Sequence, residues 1–210
     1  MRWNTACVVT GAPKENRTNL CKLIVKSVIR DYAADTVKLF IYDRNGLYES
    51  YYGKPNVTGI IRNTKDLNEI VDGLDREIKN RIKLFDGYDI CQYNKQHSDD
   101  QASHIILIAD DICHDFHCLD KNAFRLIGQE GRFCGIHMVL VSDTLDHDLI
   151  SRDVSSNLGC RVSFCPIGIP GDYVRQIGIP VNMIRQIRDF ADCCVSDGQI
   201  KLVHPFKADN

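Results

Sequence analysis

The sequence predicts an α/β domain, a mainly parallel sheet with helices on both faces. Three observations predict it. Strand-like and helix-like runs alternate along all 210 residues. His104–Ala109 and Gly135–Val141 are continuously apolar or nearly so, as strands buried on both faces are. Near the amino terminus a strand, a loop and a helix follow one another in the setting that a phosphate-binding loop requires.

The first strand is the apolar run Ala6-Cys7-Val8-Val9-Thr10. The loop from Gly11 to Thr18 follows. Leu20, Leu23, Ile24, Ser27, Val28 and Tyr32 are then spaced as one face of a helix. Val37–Asp43 reads as a second strand, closed by an Arg44-Asn45-Gly46 turn, with Tyr48, Tyr51 and Tyr52 in a loop beyond it. Val57–Ile61 reads as a short strand. Leu67, Ile70, Val71, Leu74, Ile78, Ile82 and Phe85 form a long helical stripe that Gly87 stops. Tyr93–Ser103 is polar and reads as a loop. After the His104–Ala109 strand comes Asp110-Asp111, then a helix over about Asp120–Gln129, then the strand Gly135–Val141. Strands near Arg161–Phe164, Ala191–Val195 and Ile200–Val203 complete the sheet. Residues 1–210 form one domain, with no repeat or linker.

Composition narrows the function classes. A chain of this length buries a sizeable core. Hydrophobic content of 44% and charged content of 26% are ordinary for a globular protein. The net charge of −2, from 26 basic and 28 acidic side chains, is a poor footprint for tracking a nucleic-acid backbone. No apolar run approaches the roughly 20 residues that span a bilayer, and no signal peptide opens the chain. Ten cysteines invite a disulfide framework. Cys7, Cys21, Cys134 and Cys160 fall in strand- and helix-like runs, however, and read as small buried hydrophobes in a reducing cytosol. The Asn16-Arg17-Thr18 and Asn56-Val57-Thr58 sequons therefore carry no meaning.

Gly11-Ala12-Pro13-Lys14-Glu15-Asn16-Arg17-Thr18 departs from G-x-x-x-x-G-K-[ST] at two defining positions. Gly11 and Thr18 are in place. Asn16 stands where the second glycine lets backbone amides curl around phosphates. Arg17 stands for the lysine, and its long, planar fork is no equivalent of a compact ammonium. Thr18 retains a hydroxyl suited to Mg²⁺. The alternative is an ordinary strand–turn–helix.

Asp110, at the carboxyl end of a buried strand, is placed as the acid that holds Mg²⁺. Asp111 follows where a water-orienting Glu is usual, one methylene shorter. The alternative for both is capping of the next element. Ser142-Asp143 ends another strand at a position that can sense a γ-phosphate. An acid there is unhelpful beside a triphosphate. Cys113-His114-x-x-His117-Cys118 looks like a metal cluster. On a helix its four side chains would not converge, and no second ligand pair lies at zinc spacing, so no metal is assigned. Arg132 could serve as an arginine finger, or as a plain surface arginine at a helix end. Met183, Ile184 and Ile187, within Tyr173–Phe190, form a stripe read as core.

In their order these motifs resemble the FtsK/SpoIIIE-type ATPase domains of the type VII secretion coupling proteins EssC and EccC. The resemblance runs through Val8–Thr18, Leu39–Asp43, Pro55-Asn56-Val57-x-Gly59, Arg81–Phe85, Tyr93-Asn94 and Leu107–Asp111. It continues in Gly131-Arg132-x-x-Gly135-Ile136-His137-Met138-Val139-Leu140, its most specific stretch, and closes at Asp197-Gly198-Gln199. It spans nearly the whole chain.

That resemblance implies a RecA-like P-loop NTPase fold, and a fragment of a longer multi-domain chain. The degenerate loop is similar to that of the last, C-terminal domain of such proteins. The implied role is substrate recognition and motor assembly rather than ATP hydrolysis, on the cytosolic side of a membrane-anchored secretion complex. Implied partners are neighbouring ATPase domains and small helical secreted proteins, without nucleic acid and without membrane insertion by this segment. Gly11, Asn16, Arg17 and Thr18 become a degenerate nucleotide site, and Asp110 and Asp111 a vestigial catalytic pair. No cofactor is assigned, weak Mg-ATP binding being the one the motif would support. The alternatives are a working or regulatory ATPase in which Arg17 replaces the lysine, and a DNA translocase module.

Overall fold

Eight strands lie side by side in one sheet, in the order β3-β2-β4-β5-β1-β6-β7-β8. They are β1 (Ala6–Thr10), β2 (Val37–Asp43), β3 (Val57–Ile61), β4 (His104–Asp110), β5 (Ile136–Ser142), β6 (Cys160–Ser163), β7 (Cys193–Ser196) and β8 (Ile200–Val203). The structure is a computed structural model that describes residues 6–143, 157–165, 178–187, 192–197 and 199–203. The first six strands in space, β3 to β6, are mutually parallel; β7 and β8 continue the sheet antiparallel.

Both faces of the sheet are covered, which is why its central strands are apolar through most of their length, with polar residues toward their ends. On one face packs α1 (Lys14–Asp31), with Cys21, Val25 and Val28 against Val9, Ile41, Ile106, Ile108 and Val141. On the other pack α2 (Thr64–Phe85) and α4 (Lys121–Cys134), with Leu67, Val71, Ile78, Phe124 and Ile127 against Val8, Leu107, Met138 and Leu140. Neighbouring residues of β4 point to opposite layers, Leu107 to one and Ile106 and Ile108 to the other. A short α3 (Ile90–Gln96) and α5 (Val181–Ile184) complete the helices among the described residues. None of these is long and apolar enough to cross a membrane. All ten cysteines are free thiols.

Three expectations are corrected. The buried line of α1 runs through Arg17, Cys21, Val25 and Val28, rotated from the predicted face, and Leu23 lies outside the core. Tyr93–Gln96 is helical rather than loop, because Asp89 and Gln92 form a reciprocal capping box that starts α3. The fourth helix continues past Gln129 to Cys134, taking Gly128 and Gly131 into its buried face, and ends at Gly135 with φ 73°. Tyr48 lies in the turn beyond β2, as expected, and is fully buried there. Met183, Ile184 and Ile187 do join the core, as expected, while Tyr173 and Phe190 lie outside the described residues. So does Gly198 of the closing Asp197-Gly198-Gln199.

The most specific sequence run has a packing role at the amino end of the strands. Gly135 has φ 73°, and a Cβ there would lie 2.1 Å from Ile90 Cδ1, so that side chain would have to move. His137 is buried beside His104, with Nε2 3.1 Å from His104 Nδ1. Arg81, also buried, donates to the carbonyls of Ser103 and Cys134, each at 2.8 Å, and so ties α2 to β4 and α4.

Candidate nucleotide site

The carboxyl ends of β1, β5 and β4 meet above the sheet, with Thr10 in register with Ser142 and Asp43 with Asp110. Ligands of parallel α/β sheets bind at this edge. Of the candidate residues, Thr18 and Asp110 meet here. Thr18 Oγ1 donates to Asp110 Oδ2 at 2.9 Å, although the two are 92 positions apart.

The loop itself is much shorter than its sequence suggests. Helix α1 already begins at Lys14, so only Gly11, Ala12 and Pro13 separate it from β1. Asn16 and Arg17 belong to the first turn of the helix, and the Asn16 amide donates to the Pro13 carbonyl at 3.2 Å. The amides of the loop are otherwise engaged: Ala12 donates to the Cys165 carbonyl at 2.5 Å, and Pro13 has no N–H to offer. Gly11 has φ 94°, and a Cβ on it would lie 2.6 Å from the Phe164 carbonyl oxygen. The residue is glycine because the chain passes the end of β6 at backbone contact.

Both cations of the loop are turned inward. Arg17 is buried and donates from Nη1 to the Gly11 carbonyl. Among the described residues its Nε has no hydrogen-bond partner. Lys14 places Nζ 2.6 Å from Asp111 Oδ2.

The two acids differ in environment. Asp110 is buried, and burial raises its pKa although hydrogen bonds from Tyr48 and Thr18 pull the other way. Burial also acts to raise Asp111, but the bond from Lys14 and its charge, helped by Asn45, hold that carboxyl below its ordinary value. Neither caps a helix through its side chain among the described contacts.

Sequence reasoning missed Tyr48 and Asp43. The Tyr48 hydroxyl donates to Asp110 Oδ2 at 2.8 Å, sharing that oxygen with Thr18. Asp43 accepts from the Leu47 and Tyr48 amides at 2.8 and 2.9 Å, which folds the turn inward and delivers Tyr48 to the site. The Asp43–Gly46 turn was a legible signal for this fold-back. Burial and the adjacent Cys21 and Asp110 push the Tyr48 hydroxyl far above its usual range, so it remains a donor. Ser142 is buried at the end of β5, between β1 and β4 in the sheet. Arg132 is exposed in the last turn of α4, at the opposite end of the sheet from Asp110.

Chemically, the oxygens of Thr18 and Asp110 suit a hard cation such as Mg²⁺. The residues at the motif's phosphate positions are wound into α1, with Arg17 bonded to the Gly11 carbonyl and Lys14 to Asp111.

Comparison with known proteins agrees with this architecture. No protein-family model matches the sequence. The DNA translocase FtsK of Streptococcus agalactiae is 26% identical over 178 residues, 75% of this chain. The chain spans 21% of the length of that translocase. EssC from Geobacillus thermodenitrificans (ATPases 2 and 3) superposes with a TM-score of 0.79 at 14% identity, covering 95% of this chain and 38% of that one.

The chain has the RecA-like fold of these ATPases. The FtsK/EccC-type fold recurs in Thermomonospora curvata EccC (ATPases 2 and 3), solved in complex with a signal sequence peptide. That structure has a TM-score of 0.75 and 14% identity, with 95% of this chain and 37% of that chain covered. It also recurs in B204, the DNA-packaging ATPase of Sulfolobus turreted icosahedral virus. There the TM-score is 0.66 and the identity 14%, with 99% of this chain and 100% of that chain covered.

Proposed function

We propose that this chain is a non-hydrolysing ATPase-fold module of an EccC/EssC-type secretion motor, acting by docking and substrate recognition. One observation carries the proposal: α1 starts at Lys14, so the phosphate cradle is replaced by a helical turn. Arg17 bonded to the Gly11 carbonyl and Lys14 bonded to Asp111 support it, since both cations would have to leave internal partners to meet a triphosphate.

The module's partners would be neighbouring ATPase domains, and, by analogy with the EccC structure that holds a signal sequence peptide, a secreted substrate's signal segment. Its place would be the cytosolic side of a membrane-anchored machine, within a longer chain.

A second reading has its own support. B204 and this chain match over nearly the full length of both, and the curated relatives are DNA translocases. A stand-alone DNA-moving ATPase would need Mg-ATP turnover and salt-dependent DNA binding, against a net charge of −2.

Calorimetric titration with Mg-ATP up to millimolar concentration separates the two. The expected outcome is no heat and no thermal stabilisation, with Arg17→Ala unchanged from wild type. Micromolar binding that Arg17→Ala abolishes would overturn the proposal in favour of a working nucleotide site.

A further inference from the structure

Immediately after Asp110 in the chain, a second group of donors converges. The Cys113–Cys118 segment is not one helix but two 3-10 turns, Ile112–His114 and Phe116–Cys118. Asp111 initiates the first with φ 61°. The consequence is a different grouping from the one the sequence suggests. His117 and Cys118 are exposed on the second turn. Asp111, Cys113 and His114 instead bring a carboxylate oxygen, a sulfur and a ring nitrogen within 4.8 Å of one another.

We infer that Asp111, Cys113 and His114 form a binding site for a borderline transition-metal ion, of which Zn²⁺ is the best fit. The donor set argues for the ion. Oxygen, nitrogen and sulfur together favour Zn²⁺ and its neighbours over Mg²⁺ or Ca²⁺, which take oxygen alone. One carboxylate, one thiolate and a neutral imidazole balance a divalent charge. Three protein ligands leave a position open in a tetrahedral sphere. Ser142 and Asp143, at the end of β5, both lie near enough to act on the Cys113 thiol, and Asp143 stands on that side for a carboxylate or a water it orients.

Asp111 can serve two partners. Its Oδ2 holds Lys14, and its Oδ1 lies 3.8 Å from Cys113 Sγ. Binding breaks the Cys113 S–H bond and forms a metal–sulfur bond, releasing one proton to solvent with no change of oxidation state. The occupied site would fasten the end of β4 to the following turn, one residue from Asp110.

The test uses the full 210-residue chain, reduced, without nucleotide, titrated with Zn²⁺ against a chromogenic chelator and with Co²⁺ as a spectroscopic stand-in. The expected result is one ion per chain and a thiolate-to-cobalt charge-transfer band that Cys113→Ser abolishes. His114→Ala should weaken Zn²⁺ by more than the roughly tenfold that loss of an outer-shell partner costs. His114 is exposed, so its removal does not threaten the fold. Cys118→Ser and Cys91→Ser should bind as wild type does. No stoichiometric binding, or a band that survives Cys113→Ser, or an unaltered affinity in His114→Ala, would overturn the site. The titration contains no nucleotide, so its outcome is independent of whether Mg-ATP binds.

Discussion

Lys14, the first residue of α1, reaches Asp111 at the end of β4, with Nζ 2.6 Å from Oδ2. A cation of the loop thus neutralises the acid that stands where a water-orienting carboxylate is usual. The lysine side chain is 41% exposed and the aspartate 13%, so the pair is neither fully screened nor fully desolvated. A double-mutant cycle of Lys14→Met and Asp111→Asn, in the presence of chelator, should give a coupling of about 0.5–1 kcal/mol that shrinks with salt. Coupling near zero at low salt would show that the pair does not hold the loop closed.

Gly11 is required by the close passage of β6. Gly11→Ala must adopt φ 94° and place its Cβ 2.6 Å from a backbone oxygen that cannot swing aside. The strain and overpacking should cost about 2–4 kcal/mol, read as a loss in urea-unfolding free energy with no nucleotide present. A glycine kept for phosphate alone would tolerate alanine in the nucleotide-free protein.

Asp110 should leave a pH signature. Burial raises its folded pKa above the ordinary value of about 3.9. The folded state therefore holds the Asp110 proton more tightly than the unfolded chain. The stability this contributes is full below the unfolded pKa and is lost as pH rises through the folded one. The stability of wild type relative to Asp110→Asn should fall as pH is raised from about 4 toward neutrality. A flat difference, measured by denaturant unfolding at a series of pH values, would contradict the assignment.

Asn56 supports the frame at the start of β2 and β3. Its buried Nδ2 donates to the carbonyls of Tyr32, Ala33 and Val37 at 3.2, 3.2 and 3.0 Å. Asn56→Ala leaves those acceptors short of a donor and should cost about 1–3 kcal/mol. Asn56→Asp turns an acceptor charge toward three carbonyls and should cost more than alanine. Equal melting temperatures for the two variants would sink this account.

The alternation of elements was legible because each carries its own periodicity. The run His104–Ala109 could only be a strand buried on both sides, and it lies at the centre of the sheet. Thr18 and Asp110 were legible as a pair because residue type and position at strand and helix ends are local properties. Tyr48 was not, since its burial depends on Asp43 folding the turn back over the strand ends. The Cys113–Cys118 spacing was misleading for a related reason. Its helical face exists only if the segment is helical, and two 3-10 turns regroup the ligands.

The sequence by itself determined the α/β class, the largely parallel sheet and the free cysteines, and put Thr18 and Asp110 at the ends of their elements. These follow from hydrophobic periodicity and from where polar residues end apolar runs. Only the tertiary structure decided the state of the loop. Whether Asn16 and Arg17 curl around a ligand or wind into a helix depends on what the neighbouring strands leave available. Here the Phe164 and Cys165 carbonyls crowd Gly11 and take the Ala12 amide, Gly11 takes Arg17, and Asp111 takes Lys14. Apart from Gly11, those partners lie up to 154 positions away in sequence and become neighbours of the loop only when the sheet is assembled.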